Sequence, residues 1–534
     1  MKTCLVPLIA ITLIACKSSD NSNDEVTPPP AIPPQIKNIE VTGDYYNVTA
    51  SAECTNCNGE ITYEWFYNGL SLGDGASLDI QPIFRDQSLH LKVTAYNEDL
   101  SEDSVVVARP NYATDFYLHS SGLVAKRLDG TYFGIGRGIL RGVELDKLYP
   151  DTELLTIHSL NHTFLAEYED GSTYAWGIDW NISEVEDELA RGINYTTHNI
   201  FANAALMEDG SVVTWASGPM CGANGSDMFD ELSSGVIDIF ASRCQFAALK
   251  DDTSLVVWGY HLYDDVEELK SGVIKVVPYH WGFSIIRENG KAITLNLQNG
   301  IEVIRPEVDH VIDLQSTYGS HAALDVNGKV TVWGSNYDCD GDDISDVEDQ
   351  LESGVVKLFS TFRSFAALKE DGSLVVWGSA AKFLDDEVRK ELAHDVVDVL
   401  TSHNHMTVLK ADGRMVTWQG HEAPDNVYHD TLTITSSPHS FAGVDHDGRV
   451  FTWGSTIGEG DDGKVEEGLK SGVANVISMP GRRSYDIGSD ANYMFAIRED
   501  RKHITWGREL ESERHYIESM LDYHWYLVEP GPYE

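Results

Sequence analysis

A fourteen-residue segment that recurs almost letter for letter constrains this chain more than any other feature. Phe365-Ala-Ala-Leu-Lys-Glu-Asp-Gly-Ser-Leu-Val-Val-Trp377-Gly378 returns as Phe246-Ala-Ala-Leu-Lys-Asp-Asp-Thr-Ser-Leu-Val-Val-Trp258-Gly259. It returns again, with drift, around Trp176, Trp215, Trp333, Trp418, Trp453 and Trp506, and two degenerate units align on Asp129-Gly130 and Asn289-Gly290. From Ile135 to Trp506 there are nine steps over 371 positions, a period of about 41 residues. Such a period marks a repeat architecture, in which each unit buries its apolar face only against its neighbours.

The unit reads as three strands and one turn of helix. Ser353 to Ser360 alternates apolar residues, Phe365 to Lys369 is a second strand, Asp371-Gly372 a tight hairpin turn, and Leu374 to Trp377 a third strand. A variable loop and a short helix precede each unit, as in Ser345 to Leu351, where Val347 and Leu351 are four apart and Ser345 or Asp346 is expected to cap. Val185/Leu189, Met228/Leu232, Val388/Leu392, Val465/Leu469 and, one residue tighter, Val266/Leu269 repeat this spacing. Small sheets with a large aromatic at a fixed place pack face to face, and a ring of them protects its edges.

From about residue 112 to the C-terminus the chain therefore resembles the regulator-of-chromosome-condensation (RCC1-like) repeat family, whose units carry an Asp-Gly hairpin leading to Trp-Gly. The resemblance implies an all-β fold, a β-propeller of about ten short three-stranded repeats. Two departures stand out: the period is shorter than that family's four-stranded blade, and a helix replaces the Gly-Gln-Leu-Gly stretch after Trp-Gly. Ile517 to Gly531 aligns with Leu358 to Gly372, so it is expected to supply two strands of a further unit that closes or caps the ring.

The N-terminus sets the compartment. Leu5 to Ala15 is an apolar run of signal-peptide length, too short for a permanent span. It ends in Leu13-Ile14-Ala15-Cys16, which resembles a bacterial lipobox and implies cleavage after residue 15 and lipidation of Cys16. Lys17 rather than Asp follows, which by the same resemblance favours the outer membrane. Residues 16–35, rich in Ser, Asn and Pro, bury nothing and form an extended tether. Residues 36–109 alternate apolar and polar between Gly, Asn and Asp turns, which indicates a small antiparallel sandwich. There Tyr63-Glu-Trp65-Phe-Tyr67-Asn-Gly69 resembles the core-tryptophan strand of bacterial immunoglobulin-like or PKD-like domains, a resemblance that implies a spacer.

Outside the cytosol cysteines pair by default. Cys54-Thr-Asn-Cys57 has redox spacing but is followed by Asn-Gly rather than a helix, so a loop-stapling disulfide is expected. Cys221 and Cys244 are candidates for a second bridge, leaving Cys339.

The 85 Asp and Glu against 38 Lys and Arg give a charge of −47. That excludes nucleic acid and anionic headgroups as main partners, because binding them requires cations to neutralise phosphates. The acids concentrate in the loop and helix between units. Two readings stand there: a solvated surface, or recruitment of a cation or basic partner. Asp338, Asp340 and Asp342, with Asp346 and Asp349, mimic a calcium loop, although Gly341 and Ile344 are out of register with one. Calcium is the cofactor that this spacing suggests. His162, His280, His403, His405 and His439 precede second strands and would share one end of a ring, where a zinc site is conceivable. The repeat tryptophans are expected in the core, whereas Trp180, Trp281 and Trp525 lie off the repeat, where sugar-stacking residues would fall.

No Gly-x-Ser-x-Gly elbow, His-Glu-x-x-His pair or phosphate-cradling loop is present. The expectation is a lipid-anchored cell-envelope protein, not an enzyme, that presents an acidic propeller to a protein or glycan at the cell surface and touches the membrane only through its anchor. A polysaccharide- or peptide-acting hydrolase or lyase with its site at the propeller mouth, and a calcium-dependent adhesin, are the alternatives.

Overall fold

Short apolar alternations between Gly, Asn and Asp turns become antiparallel strands throughout a computed structural model. It describes residues 32–97, 100–119, 122–136, 152–160, 163–177, 182–216, 229–259, 266–334, 343–403, 405–418, 431–437, 440–454, 467–478, 494–506, 522 and 524–528.

Two sheets come first. One orders Gln35–Gly43, Asn47–Thr55 and Ser77–Asp79; the other holds Leu70–Asp74, Thr62–Tyr67, Leu89–Asn97 and Leu100–Asn111. Val41, Val48 and Ala50 from the first meet Trp65, Leu89, Leu91 and Val93 from the second in one core. Trp65 is fully enclosed and its indole N–H donates to the Gly75 carbonyl at 3.0 Å, which satisfies the polar atom that burial would strand.

The edge of the second sheet is taken by His524–Val528, paired antiparallel with Val107–Asn111. This corrects the expectation that the C-terminal segment starts a further repeat unit. The segment has the alternation of a repeat strand, but an unpaired sandwich edge satisfies its backbone instead. Arg501 packs over Tyr112 at 5.0 Å, and Asn111 donates to Asp129 at 2.8 Å, so the sandwich is seated on the repeat body. Burial and the neighbouring Asp86 push the Tyr112 phenol up to about 12.

Ten further sheets follow among the described residues, each from three consecutive strands, in a propeller-like repeat fold. One has a fourth strand, Glu302–Ile304, in the unit where Leu295-Asn296 stands in place of Trp-Gly. Within each sheet the second strand is central and most deeply buried, as in Thr163–Tyr168 and Ala202–Met207. Phe365 faces Trp377 across the strands with rings 5.2 Å apart and nearly parallel; Phe164/Trp176, Phe246/Trp258 and Phe441/Trp453 repeat the pair at 5.3 to 5.4 Å. The central strand turns a small residue and an aliphatic one toward the neighbour's rings: Ala322 and Leu324 share a core with Phe365 and Trp377 of the next sheet. Seven of the eight repeat tryptophans are buried, and Trp333 is partly buried.

Hairpin turns are closed by side chains. Asp371 Oδ1 accepts from Ser373 N and Oγ at 3.0 and 2.6 Å, and Asp170, Asp209 and Asp252 do the same for their serines. The turn glycine sits in the left-handed region, at φ 78° in Gly372, and passes its carbonyl to the next sheet, accepting Val396 N at 2.8 Å. The short helices form where expected, with Leu189, Leu232, Leu351 and Leu392 buried. Their caps differ. Val347 occupies the cap position of the helix Glu348–Leu351 without a side-chain bond, because the polar residues lie ahead of it, where Asp343 bonds Ser345. Only Asp385, before Asp386–Leu392, accepts from two helix N–H groups among the helices whose caps are described.

Candidate functional site

The first strands of consecutive sheets lie side by side from Ala113–His119 through Val396–Thr401, so they are the inner strands of the body. Polar rungs join them: Lys275 to Asp313 at 2.7 Å, Lys357 to Asp398 at 2.8 Å, Tyr195 to Asp238, and Thr435 to Ser478 at 2.8 Å. The first and last sheets also meet, with the Phe116 ring 5.6 Å from that of His503.

Each inner strand has two ends. At one end, a loop of about three residues leads to the second strand; at the other lie the hairpin turns. The loop end carries a continuous aromatic band. His280 lies 4.2 Å from Tyr318 and 4.3 Å from Trp281; Tyr318 meets Phe362 at 4.9 Å, and Phe362 stacks on His403 at 4.4 Å. Backbone bonds hold these loops together: Tyr318 N donates to Phe362 O at 2.9 Å and Phe362 N to His403 O at 2.8 Å. Arg243 closes the band, 5.5 Å over the Trp281 ring and 3.1 Å from His280 Nε2. Burial and that guanidinium push the His280 imidazole down to about 3, so at neutral pH it is uncharged and accepts from Arg243. Trp281, Tyr318, Phe362 and His403 remain half-buried.

The band unites residues that the sequence flags separately, His280, His403 and Trp281, with Arg243, Tyr318 and Phe362, which it does not. The missed signal is that the loop before the second strand holds an aromatic or basic residue in each of these consecutive units. His405 is half-buried beside them; His162, His439 and Trp180 lie outside the described residues, as does the side chain of Trp525. No group of three or more His, Cys, Asp or Glu among the described residues is arranged to hold a metal. Of the calcium-loop residues, Asp338, Asp340 and Asp342 lie outside the described residues, and Asp349 sits in the first turn of the helix Glu348–Leu351.

Cys54 and Cys57 are joined in a disulfide, and Cys244 is disulfide-bonded. Cys16, Cys221 and Cys339 lie outside the described residues. No helix among the described residues is long and apolar enough to cross a membrane.

No protein-family model matches the chain, and no curated protein does. Solved structures are similar in part. Prp20p from Saccharomyces cerevisiae is 13% identical with a TM-score of 0.28, over 75% of this chain and 97% of that one. The CRINKLY WD40 ectodomain of the Arabidopsis thaliana receptor kinase ACR4 is 11% identical with a TM-score of 0.27, over 64% and 98%. BamB from Moraxella catarrhalis is 11% identical with a TM-score of 0.25, over 57% and 95%. Likenesses this weak carry no argument about this chain, whose architecture rests on its own sheet order.

Proposed function

We propose that this chain is a lipid-anchored binding protein of the bacterial cell envelope, displayed from the outer membrane through Cys16. Its RCC1-like repeats form a closed ring of ten units, and its immunoglobulin-like sandwich seats that ring above the tether. The contact of Phe116 with His503 supports closure. The aromatic band at the loop end carries the functional reading. Half-buried rings contributed by successive units, with Arg243 beside them, offer flat apolar surface and hydrogen-bond donors along one mouth. A glycan suits that surface, since sugar rings stack on aromatics and a neutral polymer is not repelled by a chain of charge −47.

A glycan and protein array read with the full chain and with Trp281→Ala and Tyr318→Ala tests the reading. Glycan binding lost in both variants is expected. Binding unaffected by either would move the ligand elsewhere, and turnover of a bound polymer would refute a purely binding role. Loss of palmitate labelling in Cys16→Ala tests the anchor.

A further inference from the structure

The hairpin-turn end of the same inner strands is built differently. In each unit the first strand carries a bulge just after its start, as at Val236/Asp238, Val273/Lys275, Val311/Asp313, Val355/Lys357 and Val396/Asp398. A bulge re-aims the extra residue away from the ladder. In these five consecutive units that residue is aliphatic and exposed: Ile237 57%, Ile274 54%, Ile312 56%, Val356 49% and Val397 49%. The strands are neighbours, so the five side chains form an arc around the mouth at this end.

Carboxylates are interleaved with that arc. Two residues before each exposed aliphatic, a backbone carbonyl accepts an N–H from the end of the second strand, and in three of the five units the donor residue is acidic: Gly235 from Asp251 at 2.9 Å, Gly272 from Glu288 at 2.8 Å, Gly354 from Glu370 at 2.9 Å, with uncharged Val326 and Ala411 donating to His310 and Asp395 in the other two. Asp251, Glu288 and Glu370 are exposed, and an Asp251 carboxylate oxygen lies 3.2 Å from where a Cβ on Gly235 would sit. Cations next to these acids are bonded to backbone carbonyls. Lys250 donates to Glu231 O at 2.8 Å, Arg287 to Ser271 O at 2.9 Å and Lys369 to Gln350 O at 2.7 Å.

We infer that this arc docks a cationic amphipathic polypeptide segment, in which aliphatic side chains alternate with Lys or Arg. The aliphatics would cover the exposed Ile and Val side chains while the cations meet the interleaved carboxylates. Charge complementarity selects this occupant: a second copy of the chain or an anionic lipid surface would bring like charge against like. The surface lies at the opposite end of the inner strands from the aromatic band, so either can fail without the other.

The test uses the full chain and two labelled synthetic peptides, one alternating Leu and Lys in an amphipathic pattern and one with Ser replacing each Leu. The Leu/Lys peptide is expected to bind. The triple variant Ile274→Ser, Ile312→Ser, Val356→Ser, all at exposed positions, should weaken it by at least about tenfold. The triple variant Asp251→Asn, Glu288→Gln, Glu370→Gln should weaken it by roughly tenfold and flatten its salt dependence. Equal binding of both peptides, unchanged binding by the Ser variant, or wild-type self-association that the Ser variant abolishes would each overturn the inference.

Discussion

Two successive interfaces between sheets solve one packing problem with opposite chemistry. Where the sheet Ser364–Gly378 meets its predecessor, Phe365 and Trp377 lie against Ala322 and Leu324, an apolar junction. One junction earlier His321 takes the place of the phenylalanine, with its ring 5.6 Å from Trp333. It faces Ser284 and Thr294 where the next junction has small and apolar residues. His321 Nδ1 lies 2.9 Å from Ser284 Oγ and 3.0 Å from Ser316 Oγ, and Trp333 Nε1 donates to Thr294 Oγ1 at 3.0 Å. What the repeat demands at this position is a flat ring. Whether that ring is polar depends on the partners supplied around it, since a buried polar group is tolerated only when hydrogen-bonded.

The apolar junction should be the more costly to hollow out. Trp377→Ala removes a 2% exposed indole packed among Phe365, Ala322 and Leu324, and should lower unfolding free energy by about 3–5 kcal/mol. Denaturant titration checks it. A loss below about 1 kcal/mol would mean that the sheets slide together to fill the gap, and that the Phe/Trp pair is not what spaces them.

Much of this is legible in the sequence. The period, the three strands, the Asp-Gly turn and the core tryptophans follow from residues that recur at fixed spacing, because each copy repeats the same local physics. Features that depend on a partner elsewhere in the chain are not. Nothing in His524–Val528 says that its backbone pairs with the sandwich rather than with a repeat. Likewise Lys250, Lys369 and Lys410 read as the polar ends of strands, yet each reaches back to the carbonyls of the preceding helix. The aromatic band is intermediate. Its members sit at one repeat position, but they differ in kind from unit to unit, so only neighbouring loops brought together reveal a surface.

The polar junction should betray itself in acid. Burial pushes the His321 imidazole down to about 3 from its ordinary 6.5, so above pH 6.5 the folded and unfolded chains are both neutral there and nothing is gained or lost. As pH falls below 6.5 the unfolded chain takes up a proton that the folded chain refuses, so stability drops with falling pH, by up to about 1.4 kcal/mol per unit. His280, pushed down in the same way, adds to the slope. In His321→Phe, which writes the repeat's own residue into the site, the slope between about pH 6.5 and 5.5, above most carboxylate titration, should fall by roughly half. Melting curves across that range decide it: an unchanged slope would mean that His321 is reached by solvent in the native state, and the junction would not be a dry polar core.

The smallest effect separates the ring from its hydrogen bonds. Thr294→Val keeps shape and volume but removes the acceptor of Trp333 Nε1 and the partner of Ser284 Oγ, 3.0 Å away. Thr294 is fully buried, so no water replaces the lost hydroxyl, and the cost should be about 1–2 kcal/mol. The apolar junctions predict less. The Trp258 indole nitrogen is buried with no hydrogen-bond partner among the described residues, and its sheet packs without one there. If Thr294→Val proved neutral, the polar junction would be held by ring packing alone, as at Trp258, and its hydroxyls would be passengers. A double cycle with Trp333→Phe distinguishes the two: coupling of about 1 kcal/mol is expected if the indole N–H to hydroxyl bond stabilises the junction, and none if it does not.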